Sequence, residues 1–155
     1  MPRSMEKTMS LRAPLVLIFA VGLIVAACSA SPGTPAPTTS PTGPLTVQVK
    51  LTDALRMEPA TITVKVGQPI HFVVDNSGAL EHEFFLGDVA AQKAHGEEML
   101  GQPGMVHDEP MGIGLMPGMM KTLDHTFTTP GTLEAGCHVN DHYAAGMKMV
   151  ITVQP

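Results

Sequence analysis

Basic residues, cysteines and long apolar runs are all scarce in this 155-residue sequence. Nine residues are Lys or Arg, against 14 that are Asp or Glu, and no basic cluster indicates binding to nucleic acid. The apolar run at residues 15–27 has 13 residues, which is too short for a membrane-spanning helix, because such a helix needs about 20. With 44% hydrophobic and only 15% charged residues, the composition predicts one globular domain.

The first 27 residues have the pattern of an export signal. Basic residues precede the apolar run, and the run ends in small residues directly before Cys28. The sequence VAAC at this point resembles the lipobox of bacterial lipoproteins, which implies that Cys28 is lipidated and becomes the mature N-terminus. The alternatives are a short membrane anchor or a cleaved signal with an incidental cysteine. We therefore expect an exported, membrane-anchored lipoprotein that faces the periplasm or the cell exterior.

A tether follows the predicted signal. Residues 29–44 read SASPGTPAPTTSPTGP, a composition that cannot bury enough apolar surface to fold. Proline-rich chains extend by about 3.1 Å per residue, so this segment reaches roughly 50 Å. We predict a signal peptide at 1–27, a tether at 28–44 and a folded domain at 45–155.

Cys137 is the only thiol that remains if Cys28 carries lipid. A single thiol in an oxidising compartment has no intramolecular disulfide partner and requires an explanation. Metal ligation is one explanation, and an intermolecular disulfide or a buried inert thiol are the others.

Short strand-like segments dominate the folded domain. Their apolar and polar residues alternate, and Gly, Pro or Asn separates many of them. About seven such strands predict an all-β sandwich. The segments are residues 45–52, 60–67, 69–76, 81–87, 121–131, 132–137 and 147–154. Residues 87–120 form an insert too long for a simple sandwich loop, in which DVAAQKAHGEEML predicts a short helix.

Three metal-binding side chains stand at five-residue intervals before the last strand. They are Cys137, His142 and Met147, a thiolate, an imidazole and a thioether. A copper site that transfers single electrons uses one thiolate, two imidazoles and a weak axial thioether. His82 is the candidate for the second imidazole, because it begins a strand after the turn-like DNSG. The alternative is that Cys137 and Met147 are core residues and His142 lies on the surface.

The other two strand histidines have simpler interpretations. His71 lies within an alternating strand, and His125 has a similar setting. Both are expected to pack against the sheet or to face solvent. Zinc is a chemical alternative for the predicted site, since Cys and His also bind zinc. The methionine argues against zinc, because a thioether prefers copper.

These motifs together resemble the cupredoxins, blue copper proteins such as azurin, plastocyanin and auracyanin. The resemblance rests on Cys-x4-His-x4-Met before MKMVITV, on the upstream HEF and on MEPATITVKVGQPIHFVVDNSG, and it covers residues 45–155. It implies a Greek-key β-sandwich with one type 1 copper, cycling between Cu(I) and Cu(II), at one end. The family's ligands correspond to His82, Cys137, His142 and Met147. Within the family, the sequence looks closest to small exported bacterial cupredoxins, some of which are associated with copper tolerance.

Two residues depart from the usual cupredoxin pattern. Glu83 follows the first histidine, where many members have an Asn that braces the cysteine loop. His138 directly follows Cys137 and offers one more imidazole beside the predicted site. The first departure predicts a less rigid loop, and the second leaves open how many copper ions bind.

The insert has two interpretations. It carries several methionines, and His95 lies one helical turn before Met99. Soft thioethers could bind Cu(I) at an accessory site, for which the candidates are His95, Met99, Met105 and His107. Alternatively, the methionines form an adaptable lid over apolar surface.

The leading functional hypothesis is a monomeric electron carrier without substrate chemistry, and therefore not an enzyme. It would exchange electrons with redox protein partners, with Cys137 and His142 on the path. The alternative is a copper-handling or copper-tolerance protein that sequesters copper or delivers it to transfer partners. An enzyme ranks third, because four ligands leave an open coordination position only if Met147 is displaced.

Overall fold

The computed structural model describes residues 43–101 and 106–155, and these contain nine strands and one α-helix. The predicted signal peptide, Cys28, nearly all of the tether and Met105 lie outside the described residues. None of the helices in the described ranges has the length and apolar character that crossing a membrane requires. The elements are β1 Leu45–Thr52, β2 Arg56–Glu58, β3 Thr61–Lys65, β4 Pro69–Asn76, β5 His82–Gly87, α1 Val89–Leu100, β6 Gly112–Leu115, β7 Met120–Thr126, β8 Gly131–Gly136 and β9 Lys148–Gln154.

The strands form two sheets. One sheet has the order β2-β1-β4-β7, and the other has the order β3-β9-β8-β5-β6. The β1/β4 and β3/β9 pairs are parallel, and all other named pairs are antiparallel. The predicted all-β sandwich is therefore confirmed, with the helical insert on one sheet.

The core lies between the two sheets because β1 and β4 alternate in burial. Every second residue of β4 is buried, including Phe72, whose ring lies 5.2 Å from that of Phe84 on β5. Both rings are completely buried. This contact joins the two sheets two residues along β5 from His82.

Strand β5 is buried at every residue, because both of its faces are covered. Helix α1 begins at an N-cap, where Asp88 Oδ1 accepts a hydrogen bond from Ala91 N at 2.8 Å. From α1, Gln92 Nε2 donates to the backbone oxygens of Phe85 and Glu134, at 3.0 and 2.9 Å. The insert is thus attached to the strand that carries His82.

Two strands were not predicted from the sequence. Strand β2 has three residues and β6 has four, of which two are glycine, so neither shows a clear alternating pattern. The predicted helix matches α1 closely, and the first and third predicted strands match β1 and β4 at both ends.

Candidate metal centre

A compact loop between β8 and β9 carries three of the four predicted ligands. Asn140 and Asp141 adopt positive φ angles of 45° and 62°, a conformation that Asn and Asp tolerate better than most residues. His142 N donates to Val139 O at 3.0 Å, and this turn brings the chain back towards Cys137. The backbone turn of the loop therefore helps to place His142 beside the cysteine.

The side chains of Cys137, His82 and His142 come together at this end of the sandwich. Cys137 Sγ lies 3.5 Å from His142 Nδ1 and 3.9 Å from His82 Nδ1. Their donor atoms all lie within 4.8 Å of one another. Cys137 and His82 are completely buried, and His142 is 8% exposed, so only its edge reaches solvent.

Met147 closes the same loop. Its backbone N donates to His142 O at 2.9 Å, and its backbone O accepts from Cys137 N at 3.2 Å. The side chain is completely buried. The two hydrogen bonds hold the methionine backbone beside the backbone of both other loop residues, and its role as a ligand stays a prediction.

Burial controls the charge of these groups. It raises the pKa of the Cys137 thiol to about 12, although hydrogen bonds from the backbone N–H groups of Glu83 and Val139 partly oppose it. Burial also lowers the pKa values of His82 and His142. This environment favours the neutral forms of the thiol and of both imidazoles, so a bound cation would stabilise a thiolate there.

The donor set fits copper. Two imidazoles and one thiolate at these separations can share one ion at metal–ligand distances of about 2.0–2.3 Å. His82 Nε2 is buried and has no hydrogen-bond partner among the described residues. Asp53 Oδ1 is the nearby acceptor, at 3.7 Å, close to the arrangement in which a carboxylate orients a metal-binding histidine.

Two residues that the sequence did not single out position His82. Asp53 accepts hydrogen bonds from the backbone N–H groups of Ala79 and Leu80, at distances between 2.9 and 3.1 Å. Buried Asn76 donates from Nδ2 to the backbone oxygens of Leu80 and Leu115, at 2.8 and 3.0 Å. The turn before His82 is thereby fixed from both sides. In the sequence, only the turn-like motif DNSG indicated how His82 would be positioned.

Glu83 braces the cysteine loop, in contrast to the expectation that replacing Asn would loosen it. Its Oε2 accepts from His138 N at 3.2 Å, and its backbone N donates to Cys137 Sγ at 3.3 Å. A buried carboxylate thus contacts the loop where many cupredoxins have an amide. The predicted loss of loop rigidity is not supported by these contacts.

His138 points to the insert. Its Nε2 lies 2.8 Å from Gln92 Oε1, and its ring stacks on Tyr143 with centroids 4.6 Å apart. Its Nδ1 lies against Gly96, where a Cβ atom would approach to 2.9 Å, so α1 needs glycine at this position. Burial lowers the pKa of His138 to about 4. The ring is therefore neutral and packs under α1.

The candidate accessory residues have different settings. Met99 is 6% exposed and belongs to the hydrophobic core, and His95 is buried against Glu83 Oε1 at 2.8 Å. The Nδ1 atom of His107 is buried without a hydrogen-bond partner in the described ranges. Met105 lies outside the described residues. In the described part of the chain, His95 lies beside the carboxylates of Glu83 and Glu109, a grouping that the sequence did not predict.

The strand histidines behave as expected. His71 is half-buried on β4, and its Nδ1 lies 2.6 Å from Asp124 Oδ1. His125 packs edge-on against Phe127, with centroids 4.5 Å apart. Neither belongs to the donor cluster around Cys137.

Comparison with known proteins identifies relatives by sequence and similar solved structures. No protein-family model matches the chain. The copper-resistant cuproprotein CopI of Rubrivivax gelatinosus is 39% identical, and the match covers 70% of this chain and 66% of that protein. CopI of Pseudomonas aeruginosa is 35% identical, with 70% of this chain and 76% of that protein covered. The chain thus spans about two thirds to three quarters of the length of these relatives.

Solved structures agree with the fold. Dithionite-reduced auracyanin from Roseiflexus castenholzii has a TM-score of 0.63 and 27% identity, covering 73% of this chain and 99% of that one. Auracyanin A from Chloroflexus aurantiacus has a TM-score of 0.61, and the match covers 72% of this chain and 100% of that one. Because the identity is 21%, this likeness supports the fold alone. The chain is therefore a copper-binding cupredoxin that belongs to the family of copper-resistant cuproproteins named CopI.

Proposed function

We propose that this protein contributes to copper tolerance by binding copper outside the cytoplasm. The observation that carries this proposal is the preassembled group of one thiol and two neutral imidazoles on a chain whose relatives are named copper-resistant cuproproteins. The proposed ligands of one type 1 copper are His82, Cys137 and His142, with Met147 as a weak axial ligand. This function requires copper binding and no substrate chemistry.

Different residues of the chain have different roles at this centre. Bound copper would supply a metal that cycles between two oxidation states. His82 is held from the far side by the turn that Asp53 anchors, and Cys137 is held by the backbone N–H of Glu83. Burial excludes water from the sulfur, which protects a thiolate from side reactions.

A single-electron carrier is the second candidate function. Its support is that the donor atoms of His82, Cys137 and His142 lie close together on buried elements, so few atoms need to move when the copper changes charge. The exposed edge of His142 offers a contact for a redox partner protein. The carrier and the tolerance protein use the same centre and differ in whether the insert also binds copper.

Three exposed methionines on the insert support copper handling. Met116, Met119 and Met120 are 45%, 41% and 63% exposed. A methionine that serves only as a lid should be covered by the surface it protects. Exposed thioethers are instead accessible to Cu(I), for which they are suitable soft ligands.

Replacing the insert methionines with leucine tests this proposal. We expect wild type to bind Cu(I) beyond one equivalent, and the variant to bind only one, because leucine keeps the apolar bulk and removes the sulfur. The measurement is an anaerobic competition titration with a Cu(I) chelator, followed by oxidation to record the visible band. The substituted residues are Met105, Met111, Met116, Met119 and Met120.

The two candidate functions predict different Cu(I) stoichiometries. Equal stoichiometries of one in wild type and variant would contradict copper handling by the insert and favour the electron carrier. A matched variant, Met57→Leu, changes a buried core methionine on β2 and should keep the wild-type stoichiometry.

The proposed place of action is the outer side of a membrane, to which a lipid on Cys28 would attach the monomeric protein. We expect Cys28→Ala to move the exported protein from the membrane fraction to the soluble fraction, because the 13-residue apolar run is too short to anchor it. Fractionation followed by immunoblotting measures this change. Full retention of the correctly processed variant on membranes would contradict lipidation.

A further inference from the structure

His95 on α1 is held in one orientation by two contacts. Its ring stacks on Phe85, with centroids 3.9 Å apart and planes within 9°. Its Nε2 lies 2.8 Å from Oε1 of Glu83, a residue that is completely buried. When Nε2 carries the ring proton and donates it to this carboxylate, Nδ1 keeps its lone pair. A carboxylate on one ring nitrogen is the usual way in which proteins orient a histidine whose other nitrogen binds metal.

The free nitrogen of His95 faces two carboxylates. Nδ1 lies 3.4 Å from Glu109 Oε1 and 4.0 Å from Glu98 Oε2. Glu109 Oε1 is fully buried, yet it has no hydrogen-bond partner in the described part of the chain. The Glu109 side chain as a whole is 25% exposed, and a buried carboxylate oxygen without a hydrogen bond is costly, so this position favours a nearby positive charge.

The backbone holds Glu109 in this position independently of His95. Glu109 and Gly112 form two backbone hydrogen bonds, 2.9 Å from Glu109 N to Gly112 O and 3.1 Å in the reverse direction. A Cβ atom at Gly112 would lie 3.2 Å from Glu109 Cγ and 3.1 Å from Phe85, so glycine lets the glutamate side chain lie across the strand. The carboxylate is thus directed to Nδ1 by a fixed turn.

One separation at this cluster matches that of two ligands that share one ion. Two ligands at about 2.0–2.2 Å from a metal ion at a tetrahedral angle lie about 3.4 Å apart. The distance from His95 Nδ1 to Glu109 Oε1 has this value, whereas Glu98 Oε2 lies 4.0 Å from Nδ1 and must move closer to share the ion. Glu98 is 58% exposed, so an ion can enter from solvent on its side.

We propose that His95, Glu98 and Glu109 form a second metal site for a borderline divalent cation, such as Zn²⁺ or Cu²⁺. One imidazole and two carboxylates suit these ions, whereas Cu(I) prefers sulfur. The site is separate from the centre at Cys137 and from the exposed methionines. Glu83 joins it to the cysteine loop, because its other oxygen accepts from His138 N. The second site therefore shares a buried carboxylate with the scaffold of the copper centre.

Zn²⁺ titration of the copper-loaded protein tests this proposal. The protein is first given one equivalent of Cu(I) without oxygen to fill the thiolate site, and Zn²⁺ binding is then measured by isothermal titration calorimetry. We expect one saturable Zn²⁺ per chain in wild type. The double variant Glu98→Gln/Glu109→Gln should bind Zn²⁺ at least about tenfold more weakly, because two anionic ligands are lost.

Matched controls separate this site from surface charge and from the proposed function. Glu97→Gln removes an exposed carboxylate on the same helix, paired with Lys93, and should bind Zn²⁺ as wild type does. The methionine-to-leucine variant should also keep the Zn²⁺ site. Loss of Zn²⁺ binding can therefore be distinguished from loss of Cu(I) binding by the insert. The copper–thiolate band of each oxidised variant reports whether the domain is folded.

Three results would overturn the proposal. The first is the absence of a saturable Zn²⁺ equivalent in wild type, which would mean that a proton alone neutralises the cluster. The second is equal Zn²⁺ affinity in the folded double variant and wild type. The third is binding of Ca²⁺ as tightly as Zn²⁺, because Ca²⁺ selects oxygen ligands and would not need the imidazole.

Discussion

Cys137→Ser should abolish the copper–thiolate colour completely while the domain stays folded. The sulfur is completely buried and faces Nδ1 of both His82 and His142, so no other thiolate in the described chain can replace it. A serine hydroxyl has nearly the same shape but stays protonated and donates little charge to copper. Visible absorption of the Cu(II)-loaded protein measures the loss, and circular dichroism reports the fold.

The control for this variant is Met147→Leu. A weak axial thioether contributes little to the colour, so the leucine variant should keep an intense band at a shifted position. A serine variant that remained coloured would mean that Cys137 does not bind the metal. Loss of the folded signal in the serine variant alone would mean that the thiol is mainly a core residue.

Phe84→Ala should lower the free energy of unfolding of the metal-free protein by about 3–5 kcal/mol, because it leaves a large cavity in the core. Phe84 is completely buried and contacts Phe72 across the two sheets. The total free energy of unfolding of a small domain is about 5–15 kcal/mol. For a domain of this size the melting temperature should fall by roughly 10 °C or more. Chemical denaturation and calorimetry measure both effects.

Leu100→Ala is the matched control, since it also truncates an apolar side chain to alanine. Leu100 is 70% exposed at the end of α1, and its replacement should change stability by less than about 0.5 kcal/mol. Copper should recover part of the Phe84→Ala loss, because a ligand that binds only the folded state stabilises it. Equal effects of the two substitutions would contradict the position of Phe84 in the core.

Local sequence patterns were sufficient for most of the fold. Alternation in β1 and β4 predicted both strands, because one face of each packs on the core and the other is more exposed. Strand β6, GIGL, has no such signal, because it is buried at every residue and half of it is glycine. The backbone turn of the ligand loop depends on local contacts, since the backbone–backbone hydrogen bonds within it join residues at most ten positions apart.

The surroundings of the site were not predictable, because they depend on contacts between distant segments. Asp53 reaches residues 26 and 27 positions later in the sequence. Glu83 contacts His95 on the insert and His138 on the cysteine loop, 12 and 55 positions away. Only the folded sheets bring these groups together, and no short motif indicates them.

The position of β9 has a consequence for how the chain folds. This strand lies between β3 and β8, although it follows every other strand in the sequence. When the chain is synthesised from its amino end, the five-stranded sheet stays split until residues 148–154 are available. Pairing between distant segments is intrinsically slow. The loop between β8 and β9, which carries Cys137, can therefore close only after this last strand has been made and has paired with β8.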